Sequence, residues 1–206
     1  MARPYAQDMF GTLLKRLAVS QAACSELSAL LNEPFRRYHT AGHAGTLWHR
    51  HLAHGGDPDD VVAAHAIAYH DAIYRVGASD NEARSAELWC RHACGLSRAV
   101  RDQVATAIMA TSCHGSTHAD EHAQWMVDLD LTPLGEPWPL FQANSAALHD
   151  ESPHVPRAEL LAGQRRFLGR LACLPMLYRS HRHCASLART YEPTARDNLR
   201  RLLACG

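Results

Sequence analysis

The sequence predicts an all-α fold in a single domain, on three observations. Ala, Leu and Arg are abundant, runs of β-branched residues are missing, and Gly or Pro recurs at helical intervals. A chain of 206 residues is long enough for one real core. No repeat, low-complexity tract or linker divides it, so residues 1–206 are expected to form one helical bundle.

The elements follow in order. In "QDMFGTLLKRLAV" (7–19), Phe10, Leu13, Leu14 and Leu17 share one helical face. Thr40 is placed to cap a helix running to about His54, closed by Gly55-Gly56. Asp57 as N-cap with Pro58 at the first helical position opens "DDVVAAHAIAYHDAIY", continuing toward Gly77. Ser79 and Glu82 have capping-box spacing ahead of "ARSAELWCRHAC" (83–94). Ser97 caps "RAVRDQVATAIMATSCH" (98–114), and the polar "GSTHADE" breaks the chain before "HAQWMVDLDL" (122–131). Pro133, Gly135, Pro137 and Pro139 mark a longer turn, followed by helical stretches at 139–150, 156–174 and 193–204.

Composition narrows the function. With 21 basic and 21 acidic side chains and no polybasic stripe, nucleic-acid binding is disfavoured. No apolar run reaches the ~18 residues of a membrane span, and residues 1–19 lack a signal-peptide pattern, so a cytoplasmic location is the expectation. The cysteines at 24, 90, 94, 113, 173, 184 and 205 are odd in number and irregularly spaced, which indicates reduced thiols; Cys90 and Cys94 are expected to pack within a helix.

The chemistry lies in the 15 histidines, five of which fall within residues 36–54. Three stretches stand out: "YHTAGH" (38–43), "HD" (70–71) and "DLD" (128–130). On a helix His70 and Asp71 are ~100° apart, so both can lean toward one ion between them. A hairpin closed by Gly55-Gly56 would bring His43 beside His70. One oxygen from Asp128 or Asp130 completes four mixed N/O ligands, a set suited to Mn, Fe, Co, Ni, Zn or Mg. The apolar setting of "HAIAYHDAIY" demands compensation of Asp71 by a metal or an arginine.

The order His, His-Asp, Asp on successive helices resembles the HD-domain superfamily of metal-dependent phosphohydrolases. The closer resemblance is to a bacterial family described as predicted HD-superfamily metal-dependent phosphohydrolases. It rests on "RRYHTAGH" (36–43), "YHDAIY" (69–74), "SDNEARSA" (79–86), "DLDLTPLG" (128–135), "VPRAELLAGQRRFL" (155–168) and "EPTARDNL" (192–199). That family often carries Arg-x-Glu-Tyr where this chain reads "HDES" (149–152). The "YH-x-x-x-H" spacing is also similar to that of cyclic-nucleotide phosphodiesterases.

The resemblance implies an HD-type bundle with a metal held by His43, His70, Asp71 and Asp130. One divalent ion is favoured, with His114 and His118 as candidates for a second. It implies hydrolysis of a small phosphate ester, a nucleotide among the options, with His39 as leaving-group acid and Asp71 or Asp130 taking the proton of the attacking water. Arg37, Glu82 and His114 are the candidate substrate contacts, although Glu82 also serves the capping box and Arg37 also reads as a surface residue. Asp128 is left as a capping or supporting residue, and His49, His51 and His54 are assigned to the solvated end of their helix. Glu192, Arg196 and Asn198 are expected to anchor the last helix. Two other classes stay open: a di-iron oxygenase on the same scaffold, and a module that binds metal or nucleotide without turnover.

Overall fold

A computed structural model describes residues 3–181 and 184–204. Among these residues the regular structure is entirely helical. The helices are α1 (Arg3–Leu14), α2 (Gln21–Leu31), α3 (Ala41–Ala53), α4 (Val61–Tyr69), α5 (Asn81–His92), α6 (Arg98–Ala110), α7 (Glu121–Leu131), α8 (Trp138–Asp150), α9 (Arg157–Ala172) and α10 (Cys184–Ala204). Short 3₁₀ turns, Thr111–Cys113 and Thr132–Gly135, extend the C-terminal ends of α6 and α7. No helix among the described residues is long and apolar enough to cross a membrane.

The middle of the bundle is α4, with Val62 to Tyr69 buried all round, as expected of a helix enclosed by others. It contacts α1, α3, α5, α6 and α7. The core around it is large and aromatic, with Trp48, Trp89, Tyr69 and Tyr178 fully buried. The tightest approach is between α1 and α3. A Cβ on Gly45 would run into the Ala6 carbonyl oxygen and lie 2.8 Å from the Phe10 nitrogen. Gly45 thus lets two backbones meet where any side chain would wedge them apart.

Helix starts follow local hydrogen-bond chemistry. Thr40, Ser97 and Asp120 accept from the N–H of the third residue beyond each, and Ser20 does the same for α2. Gly55, at φ 88°, closes α3. Elsewhere the structure departs from the sequence expectation. The short α2, which the sequence reading passed over, buries Ala23, Leu27 and Leu31, a stripe thin enough to be masked by the serines between. α4 starts at Val61 because Asp60, not Asp57, accepts from Ala63 N; Asp57 turns its carboxylate onto Asp59 N instead. It also ends at Tyr69 rather than near Gly77, leaving His70 and Asp71 at its C-terminal end.

The Ser79–Glu82 capping box does not form. Asp80 stands at the N-cap without a side-chain cap and pairs with Arg84 at 2.7 Å, while Asn81 bridges the N–H and carbonyl of Arg75. α10 begins at Cys184 and runs through Pro193, held on both sides of the proline by buried Leu187, Ala195 and Leu199. Cys90 and Cys94 are free and exposed rather than packed. Glu192, Arg196 and Asn198 anchor α10: Glu192 accepts from Leu177 N, Arg196 reaches the Ala172 and Leu174 carbonyls, and Asn198 those of Leu134 and Glu136.

Replacing Gly45 by Ala should force α1 off α3 and lower the unfolding free energy by about 1–3 kcal/mol, the usual range for overpacking. Urea titration checks this; an unchanged midpoint would mean that the two helices yield at no cost.

Candidate metal centre

Three helix ends deliver the four candidate ligands to one place. His43 comes from the first turn of α3, His70 and Asp71 from the end of α4, and Asp130 from the last turn of α7. His43, His70 and Asp71 offer ligand atoms that all lie within 4.8 Å of one another. Asp130 Oδ1 stands 3.1 Å from His43 Nε2 and 3.7 Å from His70 Nε2, and Asp71 Oδ2 stands 3.8 and 2.9 Å from the same two atoms. His114, just past the 3₁₀ turn after α6, bonds the other oxygen of Asp130 at 2.7 Å.

The His70 ring carries the most information. Its Nδ1 lies 3.0 Å from the Ile67 carbonyl, which can only accept, so that nitrogen bears the proton. Nε2 is fully enclosed and has no hydrogen bond; Asp71 is near it but not aligned as an acceptor. A buried ring nitrogen turned toward two carboxylates, with the opposite N–H locked on a carbonyl, is also the geometry a metal-ligating imidazole takes. The donor set therefore fits a divalent cation.

The electrostatics agree. Burial works against charge on His70, yet Asp71 and Asp130 outweigh it and push the imidazole up to about 9. Burial likewise raises both carboxyls, and the surrounding imidazoles reverse it. His70 and His39 hold Asp71 well below the carboxylate range, and His114 and His43 do the same for Asp130. The pocket is a field that collects positive charge.

Beside the cluster lies a second arrangement that the sequence reading missed. Glu151, whose side chain is fully buried, accepts with Oε1 from the backbone N–H groups of Arg37, Tyr38 and His39 at 2.7, 2.7 and 3.0 Å. Its Oε2 takes the His39 Nδ1 proton at 2.6 Å. Burial alone would raise the Glu151 carboxyl, but the His39 contact and these N–H groups hold it below its ordinary value. For His39 burial is again outweighed, here by Asp71 and Glu151, and the imidazole's pKa is raised. Tyr74 stacks on the ring at 4.0 Å. The only sequence signal for Glu151 is its place in "HDES", at the Glu of the Arg-x-Glu-Tyr pattern whose Arg and Tyr this chain lacks.

Arg36, not Arg37, is the buried arginine of this region. Its guanidinium donates to the carbonyls of His39, Asp71 and Ala72 and pairs with Glu33, tying the 36–39 segment to the end of α4. Arg37 is exposed, bonds the Pro34 and Arg36 carbonyls, and lines a second open cleft of about 720 Å³ that reaches His43 but neither His39 nor Asp130. Glu82 is half-buried in the first turn of α5 and makes no bond to the cluster among the described residues.

The two aspartates of "DLD" separate cleanly. Asp130 faces the cluster, whereas Asp128 is wholly buried and accepts from Gln124, Arg179 N and Ser180 N. His118 lies outside the cluster, its backbone N–H on Gln124. The reading of His51 as a solvated residue is corrected: it is 1 % exposed, accepts from Trp125 Nε1 and donates to the Asp57 carbonyl. His54 and His49 are half-buried, bonded to Ser186 and Tyr5.

Comparison with protein-family models, with curated proteins and with solved structures found no match.

Replacing His70 or Asp71 by Ala should abolish retention of a divalent ion, since each removes one ligand and leaves the facing groups uncompensated. His118→Ala should keep it. Elemental analysis of the purified variants decides, and full occupancy in His70→Ala would remove the assignment.

Proposed function

We propose that this protein is a metal-dependent phosphohydrolase of the HD-domain type, acting on a small phosphate ester. The observation that carries the reading is the buried Nε2 of His70, without a hydrogen bond and gathered with His43, Asp71 and Asp130, set beside a carboxylate-held histidine. The chemistry supplied by a bound divalent ion is acidification of a water and polarisation of a phosphoryl oxygen. His43, His70, Asp71 and Asp130 would hold it.

The chain's own residues account for the proton transfers. His114 occupies one oxygen of Asp130, so Asp71 is the better placed carboxylate to take the proton of the attacking water. His39 gives a proton from Nε2 to the departing alcohol oxygen, and Glu151 on Nδ1 fixes the ring and stabilises its charged form. Phosphoryl transfer needs little covalent help, so positioning and charge neutralisation make up the rest.

Replacing His39 by Ala should leave metal content intact and lower kcat by ~10²–10⁴-fold, the usual range for a general acid. The loss should shrink for a nitrophenyl ester, whose leaving group needs no proton. Glu151→Gln keeps an acceptor for the backbone N–H groups but not for the ring, so its loss should fall between wild type and His39→Ala. A loss that ignores the leaving group would assign His39 to positioning alone.

A second reading has one observation in its favour. His114, bonded to Asp130 Oδ2, adds a further imidazole beside the cluster and would help hold a second ion, which a di-iron oxygenase on this scaffold would require. The hydrolase reading expects phosphate release with Mn under strict anaerobiosis and at most a partial effect of His114→Ala. Two irons per chain, oxygen-dependent turnover and loss of one iron in His114→Ala would favour the oxygenase instead.

A further inference from the structure

Between α8 and α9 lies a cavity of about 390 Å³ that reaches the edge of the candidate centre, where His39, His114 and Asp130 line it. Its sides come from two helices that face each other across the gap. From α8 the contributors include Phe141, Asn144, Ser145, Leu148 and His149, and from α9 Leu160, Gln164, Phe167 and Leu168. The spacings of three, four and seven residues are those of one face of each helix. These two faces touch at the Gln164–Ser145 bond and elsewhere leave a slot that reaches the edge of the cluster.

The chemistry of the slot is uneven. Near the centre and along the sides it is apolar and aromatic. Neutral polar groups interrupt it along one side, where Gln164 Nε2 donates to Ser145 Oγ at 2.9 Å. Both ring nitrogens of His149 are enclosed there without a hydrogen bond. Among the described residues no lysine or arginine lines the slot, and its one carboxylate is Asp130 at the edge of the centre. Arg36, Arg37 and Arg50 line the other cleft, which reaches His43 but neither His39 nor Asp130.

Resting on the phosphohydrolase reading, we infer that this slot selects phosphate monoesters of compact, uncharged, mostly apolar alcohols or phenols bearing one neutral hydrogen-bonding group. The single phosphoryl group would meet the centre at that edge. An aromatic or aliphatic body fits against Leu160, Phe167 and Leu168, where apolar burial is favourable. A hydroxyl or amide reaching the His149 ring completes the bonds that its nitrogens lack, and a substrate without it leaves them unmade. A second anionic group, whether carboxylate or further phosphate, would be desolvated against apolar walls with no cation to pair it.

The test uses full-length Mn-loaded protein and matched esters: phenyl, 4-hydroxyphenyl and 4-carboxyphenyl phosphate, and a nucleoside triphosphate. Binding of benzylphosphonate and its 4-carboxy derivative is measured in parallel by calorimetry, which does not depend on turnover. The neutral member of each pair should be favoured by on the order of 10–100-fold. Gln164→Arg, which places a cation in the wall, should move the preference toward the carboxylated compounds. His149→Ala should erase the advantage of hydroxyphenyl over phenyl phosphate. Hydrolysis without this selectivity, or with the triphosphate preferred, overturns the inference and leaves the phosphohydrolase reading in place. Selective phosphonate binding without hydrolysis of any ester supports the slot and removes the phosphohydrolase. Neither hydrolysis nor binding removes both.

Discussion

Two carboxylates, Asp71 and Asp130, are held in one half-dry cleft, and the surrounding structure is organised by the need to compensate them. Left alone, such a pair would repel and would be poorly solvated. The chain answers with imidazoles: His43 and His70 between the carboxylates, His114 behind Asp130, and His39 close enough to help hold Asp71 ionised. The helices reinforce this. The C-termini of α4, α6 and α7, each the negative end of a helix dipole, lie near the cluster against one N-terminus, that of α3.

A site at helix ends must be built from non-helical backbone, whose N–H and C=O groups need partners. Three long-range clamps provide them. Arg36 satisfies the carbonyls of His39, Asp71 and Ala72 at once, joining the two histidine-bearing segments. Glu151 satisfies three successive N–H groups of residues 37–39 and then the His39 ring itself. Arg179 donates to the carbonyls of His114 and Ser116, and its own N–H is held by buried Asp128. Each clamp is an ionised group spent on main-chain atoms, which makes it rigid and leaves the histidine rings as the groups able to exchange protons or hold a metal.

Much of the fold was legible because its signals are local. Thr40 and Ser97 cap where they stand, Gly55 ends a helix, and the apolar run 61–69 is a buried helix in any context that covers it. Where the reading slipped, two local options were nearly equal and packing chose. Asp57 and Asp60 are both caps by chemistry, and α4 starts at the latter. Pro193 is a helix start by rule, yet α10 passes through it because residues on either side are buried. His51 resembles its solvated neighbours in sequence, but Trp48 and Trp125 enclose it.

What the sequence by itself determined is the all-helical architecture and the set of residue types able to bind a cation, since capping, periodicity and the adjacency of His70 and Asp71 act over a few residues. Only the tertiary structure decided which of them meet. It separated Asp130 from Asp128, brought His114 onto Asp130 while leaving His118 outside, and seated Glu151 under His39 across more than a hundred residues. It also left the slot between α8 and α9. The reason is that ligand sets and buried ion pairs depend on distances of about 3–4 Å between remote segments. Such distances follow from how the helices pack, and the pattern along any one of them does not contain that information.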